Sequence, residues 1–331
     1  MPPCPPSLGL GLGLPFVRGG GAVPVISVIT GTPYPGETLA STIAGQWFAD
    51  DVAIVGETGS TYVVRLQDAG KDIRCGTSNE LFVDYDLDAA LWLLDVQTAG
   101  GNVTQPRINA ADVFYKAEKT SGRYVNNLRL LHLPIWGLAA ANAICLKTRA
   151  SGTFQGGVTH GVGFVTGDGT SGQFDTNRTP ASIGQNQNNF WNGYLQTSVK
   201  VSSNQAFWGN SFAYRARRFA SSDTIRFDPP SISWQGQNGQ GIISFYVSSN
   251  SASIARRSGA SAQVVASGAY SNDLALPTDN MRFMSLGDAE YSNASYGAYW
   301  SGISATQSLD EGFTANLKTL WEACTGLSLP N

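Results

Sequence analysis

The stretch Trp47-Phe48-Ala49-Asp50-Asp51-Val52-Ala53-Ile54-Val55-Gly56-Glu57-Thr58-Gly59-Ser60-Thr61-Tyr62, continued by Asp68-Ala69-Gly70-Lys71-Asp72-Ile73-Arg74-Cys75, decides the first part of the fold. Trp47 opens a strand, and Asp50-Asp51 supplies a hairpin turn. Residues 61–66 and 73–77 have the β-branched and aromatic content of later strands. Upstream, residues 25–29 and 38–43 are strand-like and are separated by the turn cluster Gly31-Thr32-Pro33-Tyr34-Pro35-Gly36. So many short strands in so few residues, with turns at this density, predict a two-sheet sandwich with Trp47 in its core. A module of this kind displays or spaces something else and rarely catalyses.

The sandwich is of immunoglobulin type. Cys75 stands where an antibody-type domain keeps one half of its inter-sheet disulfide, but the expected partner strand, 38–44, has no cysteine. Ile73 stands where many such domains place a corner tyrosine. The four cysteines, Cys4, Cys75, Cys145 and Cys324, lack metal-ligand spacing and are read as free thiols, which fits assembly in a reducing cytoplasm.

With 331 residues the chain is long enough for two domains, each with its own core. Charged residues make up only 14%, and there are 38 Gly, 8 Trp, 12 Tyr and 15 Phe, which argues for turn-rich β-structure and against disorder. The net charge is −3 and the densest basic run, Arg215-Ala216-Arg217-Arg218, is short, so nucleic acid is excluded as an expected partner. No apolar run is long enough for a membrane helix, so no membrane insertion is expected. The N-terminus lacks the basic-then-apolar order of a secretory signal, which predicts that export does not use the general route.

Residues 1–23 are of low complexity: prolines, then Leu8-Gly9-Leu10-Gly11-Leu12-Gly13-Leu14, then Gly19-Gly20-Gly21. Alternate leucines on a glycine backbone suit a docking peptide, because the leucines fill pockets while the glycines allow close approach. After residue 84 the apolar spacing becomes helical, over 86–96 and again over 109–119, with Asn109 an expected N-cap and Gly122 a stop. From 128 to 304 the chain is again β, with strands expected at 128–133, 143–148, 172–176, 193–200, 207–213, 224–227, 241–248, 253–257 and 280–286. That number of strands in one domain predicts a two-sheet jelly roll. Residues 309–321 predict a last amphipathic helix with Leu317, Leu320 and Trp321 on one face.

The order of these pieces resembles a family of bacteriophage tail fibre and minor tail proteins. Residues 31–75 resemble the immunoglobulin-like modules of phage tails. From Asp88 onward the chain resembles a concanavalin-A/laminin-G-like module: two helices, then Ala141-Asn142-Ala143-Ile144-Cys145-Leu146-Lys147, a Gly-Asp-Gly-Thr run from Gly167 to Thr176, and a closing Ser308-Leu309-Asp310 helix. The implied fold is mainly β: an immunoglobulin-like sandwich (24–84), a helical connector (85–127) and a lectin-like jelly roll with a C-terminal helix (128–331), preceded by a virion-anchoring segment (1–23). The resemblance implies a surface-exposed virion protein made in the host cytoplasm. It would bind a host receptor or glycan as a homo-oligomer, with a trimer favoured, and hold other virion proteins through Leu8, Leu10, Leu12 and Leu14. A head fibre or capsid decoration protein, a polysaccharide depolymerase and a bacterial surface lectin are the alternatives.

Residue chemistry offers little catalysis, and no enzyme is expected. Neither His132, among apolar residues, nor His160 belongs to a zinc pattern, and no nucleophile elbow or phosphate loop occurs. Asp168 and Asp175, or Asp288 and Glu290, could pair for glycan hydrolysis, but none sits in an apolar setting. Asp168 reads as a turn-former, and calcium on Asp168 or Asp175 is the one cofactor considered. The sharper feature is aromatic residues among amides: Asn186, Asn189 and Trp191; Trp208; Trp234 and Asn238; Tyr296, Tyr299 and Trp300. Aromatic faces stack on sugar rings while amides bond the hydroxyls, so these nine residues form the expected ligand site.

Overall fold

A computed structural model describes residues 27–186, 189–198, 205–209, 215–219, 224–228, 232–235, 240–248, 251–258, 261–269, 278–286 and 290–329. The fold is mainly β, as expected. The first module has two antiparallel sheets. Strands Ile29–Thr30, Thr38–Ser41 and Thr61–Val63 form one; Val52–Ala53, Trp47–Ala49, Asp72–Cys75 and Leu81–Phe82 form the other. Alternation turns Leu39, Trp47, Tyr62, Ile73 and Cys75 inward. Trp47 stacks on Tyr62 at 5.5 Å and donates its indole N–H to Gly59 O at 3.0 Å. Asp50 and Asp51 both have positive φ, the geometry of a tight hairpin whose twist matches its strands. At the opposite corner Tyr62 donates to buried Asp68 at 2.5 Å, and Asp68 also accepts from Arg65 N–H. Cys75, Cys145 and Cys324 are free and buried; Cys4 and residues 1–26 lie outside the described residues.

Helix α1 (Leu87–Thr98) starts at Asp86, whose carboxylate accepts from the N–H groups of Asp88 and Ala89. Helix α2 (Gln105–Thr120) begins at Thr104, not at Asn109; Pro106 sits in the first turn, where its missing N–H costs nothing. Gly122, at φ 77°, turns the chain into α3 (Arg123–Asn126). The strand expected at 143–148 is instead the end of a short helix, α4 (Ala139–Asn142), followed by isolated bridges to His132 and Ser151. Three consecutive alanines favour the helical turn. Helix α5 (Gln307–Thr325) is capped by Thr306 and ended by Gly326, and buries Phe313, Leu317, Leu320 and Trp321.

The larger sandwich consists of two antiparallel sheets. In the first, the order is Val158–Gly161, Phe164–Gly167, Ser295–Ile303, Phe190–Gln196, Gly241–Ser248, Ser251–Ser258 and Ser261–Ala269, with Leu128–His132 also pairing Ser295–Ile303. In the second it is Ile232–Gln235, Thr224–Asp228, Arg215–Phe219, Gln205–Gly209, Arg282–Phe283, Gln173–Asp175 and Thr153–Gln155. Strands far apart in sequence lie side by side, as a jelly roll requires.

The first sheet is a middle layer. One face, with Trp191, Leu195, Ala298 and Trp300, packs under α5, where Phe313 meets Trp191 at 4.6 Å and Trp300 at 5.4 Å. The other, with Phe190, Tyr194, Phe245 and Tyr299, meets Phe174 and Phe283 of the second sheet. Buried Glu118 of α2 accepts both arms of Arg123 and the Asn316 amide at 2.7 Å each, which ties α2, α3 and α5 together. The small sandwich joins the same core: Tyr34 packs edge-on to Tyr85 at 5.4 Å, and Gln105 donates to Pro35 O at 2.8 Å.

Candidate functional site

Four of the nine expected ligand residues are core residues. Trp191, Tyr296, Tyr299 and Trp300 are all 0% exposed. The reason is the middle layer: Phe190–Gln196 and Ser295–Ile303 are adjacent central strands with helices on one face and a sheet on the other. Trp191 donates its indole N–H to Asp310 at 2.8 Å, and Tyr299 lies parallel to Phe174 at 6.0 Å. The amides beside them do not face outward either. Asn192 is buried between the sheets and accepts from Gln185 at 2.7 Å.

Asn186 is exposed and Asn189 half-buried, and the Asn189 side-chain Oδ1 accepts from Asn186 N–H at 3.0 Å, which is turn chemistry. Trp208 lies on strand Gln205–Gly209 in register with Phe283, with its side chain outside what is described. Asn238 and the leucines Leu8, Leu10, Leu12 and Leu14 also lie outside the described residues.

Trp234 differs. It sits on Ile232–Gln235, the edge strand of the second sheet, and is half-buried against the inter-sheet core near Val265 and Ala266. The Arg256 guanidinium lies 5.5 Å from its ring centroid. Arg256 is fixed by donating through Nε and Nη2 to Gln240 O at 3.3 and 3.1 Å, and the Gln240 amide donates to Thr197 O at 2.9 Å. Burial holds the Arg256 pKa below its usual value. An aromatic surface and a guanidinium thus meet on the edge strand's side of the sandwich. Such a set can stack on an apolar ring face and donate to hydroxyl or acidic groups. Sequence reading found Trp234 but missed Arg256 and Gln240. The available signal was Arg256 two residues after Ile254, hence on the same, inward face of its strand.

The cation candidates resolve into structural roles. Asp168 accepts from the N–H groups of Thr170, Ser171 and Gly172 and from the Ser171 hydroxyl, at 2.7–2.8 Å. These donors hold its pKa far below the carboxylate range and occupy the lone pairs a cation would need. Asp175 is buried; it accepts from Asn177 N–H at 2.7 Å and the Asn280 amide at 3.3 Å, with Arg282 at 3.8 Å. Among the described residues no cluster of three or more His, Cys, Asp or Glu could hold a metal ion, and no helix is long and apolar enough to cross a membrane. Asp288 lies outside the described residues.

His132 is a core residue, edge-on to Phe174 at 4.8 Å. It is paired across a bridge with Cys145. Burial raises the Cys145 thiol pKa, but the imidazole and Thr148 outweigh it and bring it down to about 6. Both side chains are 1% exposed, so this pair meets no solvent-borne substrate.

The fold is mainly β, and of the expected aromatic ligand residues whose side chains are described only Trp234 is not fully buried. No protein-family model and no curated protein matches the chain. Among solved structures it is similar to sialidases of Trypanosoma rangeli. One is a mutant displaying trans-sialidase activity (TM-score 0.43, 8% identity, 89% of this chain and 53% of that one). Another is the sialidase in complex with 2,3-difluorosialic acid (0.41, 9%, 88% and 43%), and a third is its complex with 2,3-difluoro-KDN (0.40, 10%, 88% and 53%). The chain spans about half the length of these structures. Because they are enzymes, the expectation that this chain is not one is withdrawn. A likeness of this size supplies no activity, substrate or catalytic residue in its place.

Proposed function

We propose that the chain is a surface protein of a bacteriophage virion, a tail fibre or tail-tip component, that attaches to host glycan through the Trp234 edge of its larger sandwich. The observation that carries the site is the half-buried Trp234 ring with Arg256 held beside it. The order of modules supports the wider reading: a small sandwich and a helical layer share one continuous core with the larger sandwich. Attachment would be multivalent, from a homo-oligomer, so weak single sites add up through avidity. Leu8, Leu10, Leu12 and Leu14 would engage other virion proteins.

The test is binding of the purified full chain to a glycan array and to host surface preparations, with Trp234→Ala and Arg256→Gln compared. Losing an aromatic platform costs on the order of 1–2 kcal/mol, so Trp234→Ala should weaken binding about tenfold or more while the fold persists. Failure to bind any host preparation, or undiminished binding by both variants, refutes the proposal. Sizing the same glycans after incubation adds a second readout: shortening would replace attachment with depolymerisation.

A further inference from the structure

An apolar groove of about 380 Å³ runs between α2 and α5 on the side away from the sheets. Phe114 and Leu320 form its floor; Ala110, Val113 and Ala323 line its sides. None of the ten lining residues is ionisable. The two rim amides are already engaged: Asn109 accepts from Gln105 at 2.8 Å, and Asn316 donates to Glu118 at 2.7 Å. Val113, on its side, remains 61% exposed.

We propose that this groove holds the chain's own segment Leu8-Gly9-Leu10-Gly11-Leu12-Gly13-Leu14. Charge argues for it: no charged side chain occurs before Arg18, which matches the uncharged groove. Pattern argues for it too. An extended Leu-Gly repeat presents all four leucines on one side, and glycine lets the backbone lie close to a helix pair.

Reach permits it within one copy. Twelve residues lie between Leu14 and Ser27, and the thirteen Cα–Cα steps allow a span of about 45 Å. Ser27 belongs to the module whose Pro35 bonds to Gln105, at the start of α2. Ser27 to Pro35 is at most roughly 29 Å of chain, and Gln105 to Val113 is about 12 Å of helix. Docking would store the segment on its own body until a partner offers a competing cleft. The inference does not depend on the glycan site.

Full-length protein with Cys4→Ser, Leu10→Cys and Val113→Cys, mildly oxidised, tests it by peptide mapping. The control replaces Val113→Cys with Val55→Cys, which is 93% exposed and lies in the module from which the segment emerges. Docking raises the effective concentration at residue 113, so crosslinking there should exceed the control by about tenfold or more. Equal or greater crosslinking at residue 55 overturns the proposal. So does crosslinking at residue 113 that forms as readily between separate Leu10→Cys and Val113→Cys copies, because that places the segment on a second copy. Hydrogen exchange of the unmodified chain gives an independent readout. Amides 9–14 should exchange about tenfold slower than in Val113→Asp, and equal rates in the two overturn the proposal.

Discussion

Asp310 should make the protein more stable in mild acid than at neutral pH. It lies in the first turn of α5, is 2% exposed, and accepts from the Trp191 indole at 2.8 Å. Arg257, on the strand facing it, is committed to Thr314 Oγ1 and Glu311 O. Burial raises the Asp310 pKa to about 6, against the partial opposition of Ser244, Trp191 and Arg257, with Glu311 adding to the rise. The folded value therefore lies above the unfolded one, 3.8. Between pH 4 and 6 the folded state binds more protons, and stability falls as pH rises through that window. A shift of about two pH units corresponds to roughly 3 kcal/mol, complete by about pH 7. Asp310→Asn keeps an acceptor for the Trp191 N–H and removes the titration. The other groups titrate in both proteins, so the difference isolates position 310. Urea unfolding followed by tryptophan fluorescence at pH 4, 5, 6 and 7 should show the variant gaining on the parent by about 3 kcal/mol from pH 4 to 7. A difference that stays flat, or moves the other way, refutes the assignment.

Tyr62→Phe removes the donor to buried Asp68 and should cost about 1.5–3 kcal/mol in chemical denaturation, because a charged acceptor loses its partner. Gly193→Ala would drive a methyl into the Trp300 indole, and Gly297→Ala one into Trp321; each should cost about 1–3 kcal/mol or more in the same assay. Gly59→Ala, whose nearest neighbours would lie at 3.8 Å, serves as the near-neutral control.

Much of the architecture is legible locally. The Trp47 strand and the Asp50-Asp51 turn are set by nearby residues, and the structure places them where short-range rules do. Asn109 misled because a cap-forming residue inside a helix has the same signature as one at its start, and Pro106 decides between them. The 143–148 strand failed because its apolar run is too short to separate strand from buried turn. The candidate site was far less legible. Trp234 and Trp191 both lie on strands among amides, and what distinguishes them is strand position: an edge for one, the centre of a covered sheet for the other. Position in a sheet is a long-range property that local sequence does not carry.

The central tryptophans show how such a position is built. On the two central strands the tryptophans and glycines are reciprocal cross-strand partners: Trp191 opposes Gly302, and Gly193 opposes Trp300. A Cβ on Gly302 would sit 2.6 Å from Trp191 Cε3, and one on Gly193 would fall within Trp300. Each indole lies over the bare backbone of its neighbour, which is how the sheet accommodates two large rings beneath α5. In sequence this is a glycine two residues from a tryptophan on both strands, hence on the same face: Trp191-Asn192-Gly193 and Trp300-Ser301-Gly302. Trp234-Gln235-Gly236 has the same spacing, with Gly236 outside the described residues, so the spacing alone does not separate the edge tryptophan from the packed ones. What assigns Trp191 and Trp300 to packing is the reciprocal pairing of two adjacent covered strands, and Trp234, on an edge strand, remains the residue on which the attachment experiment turns.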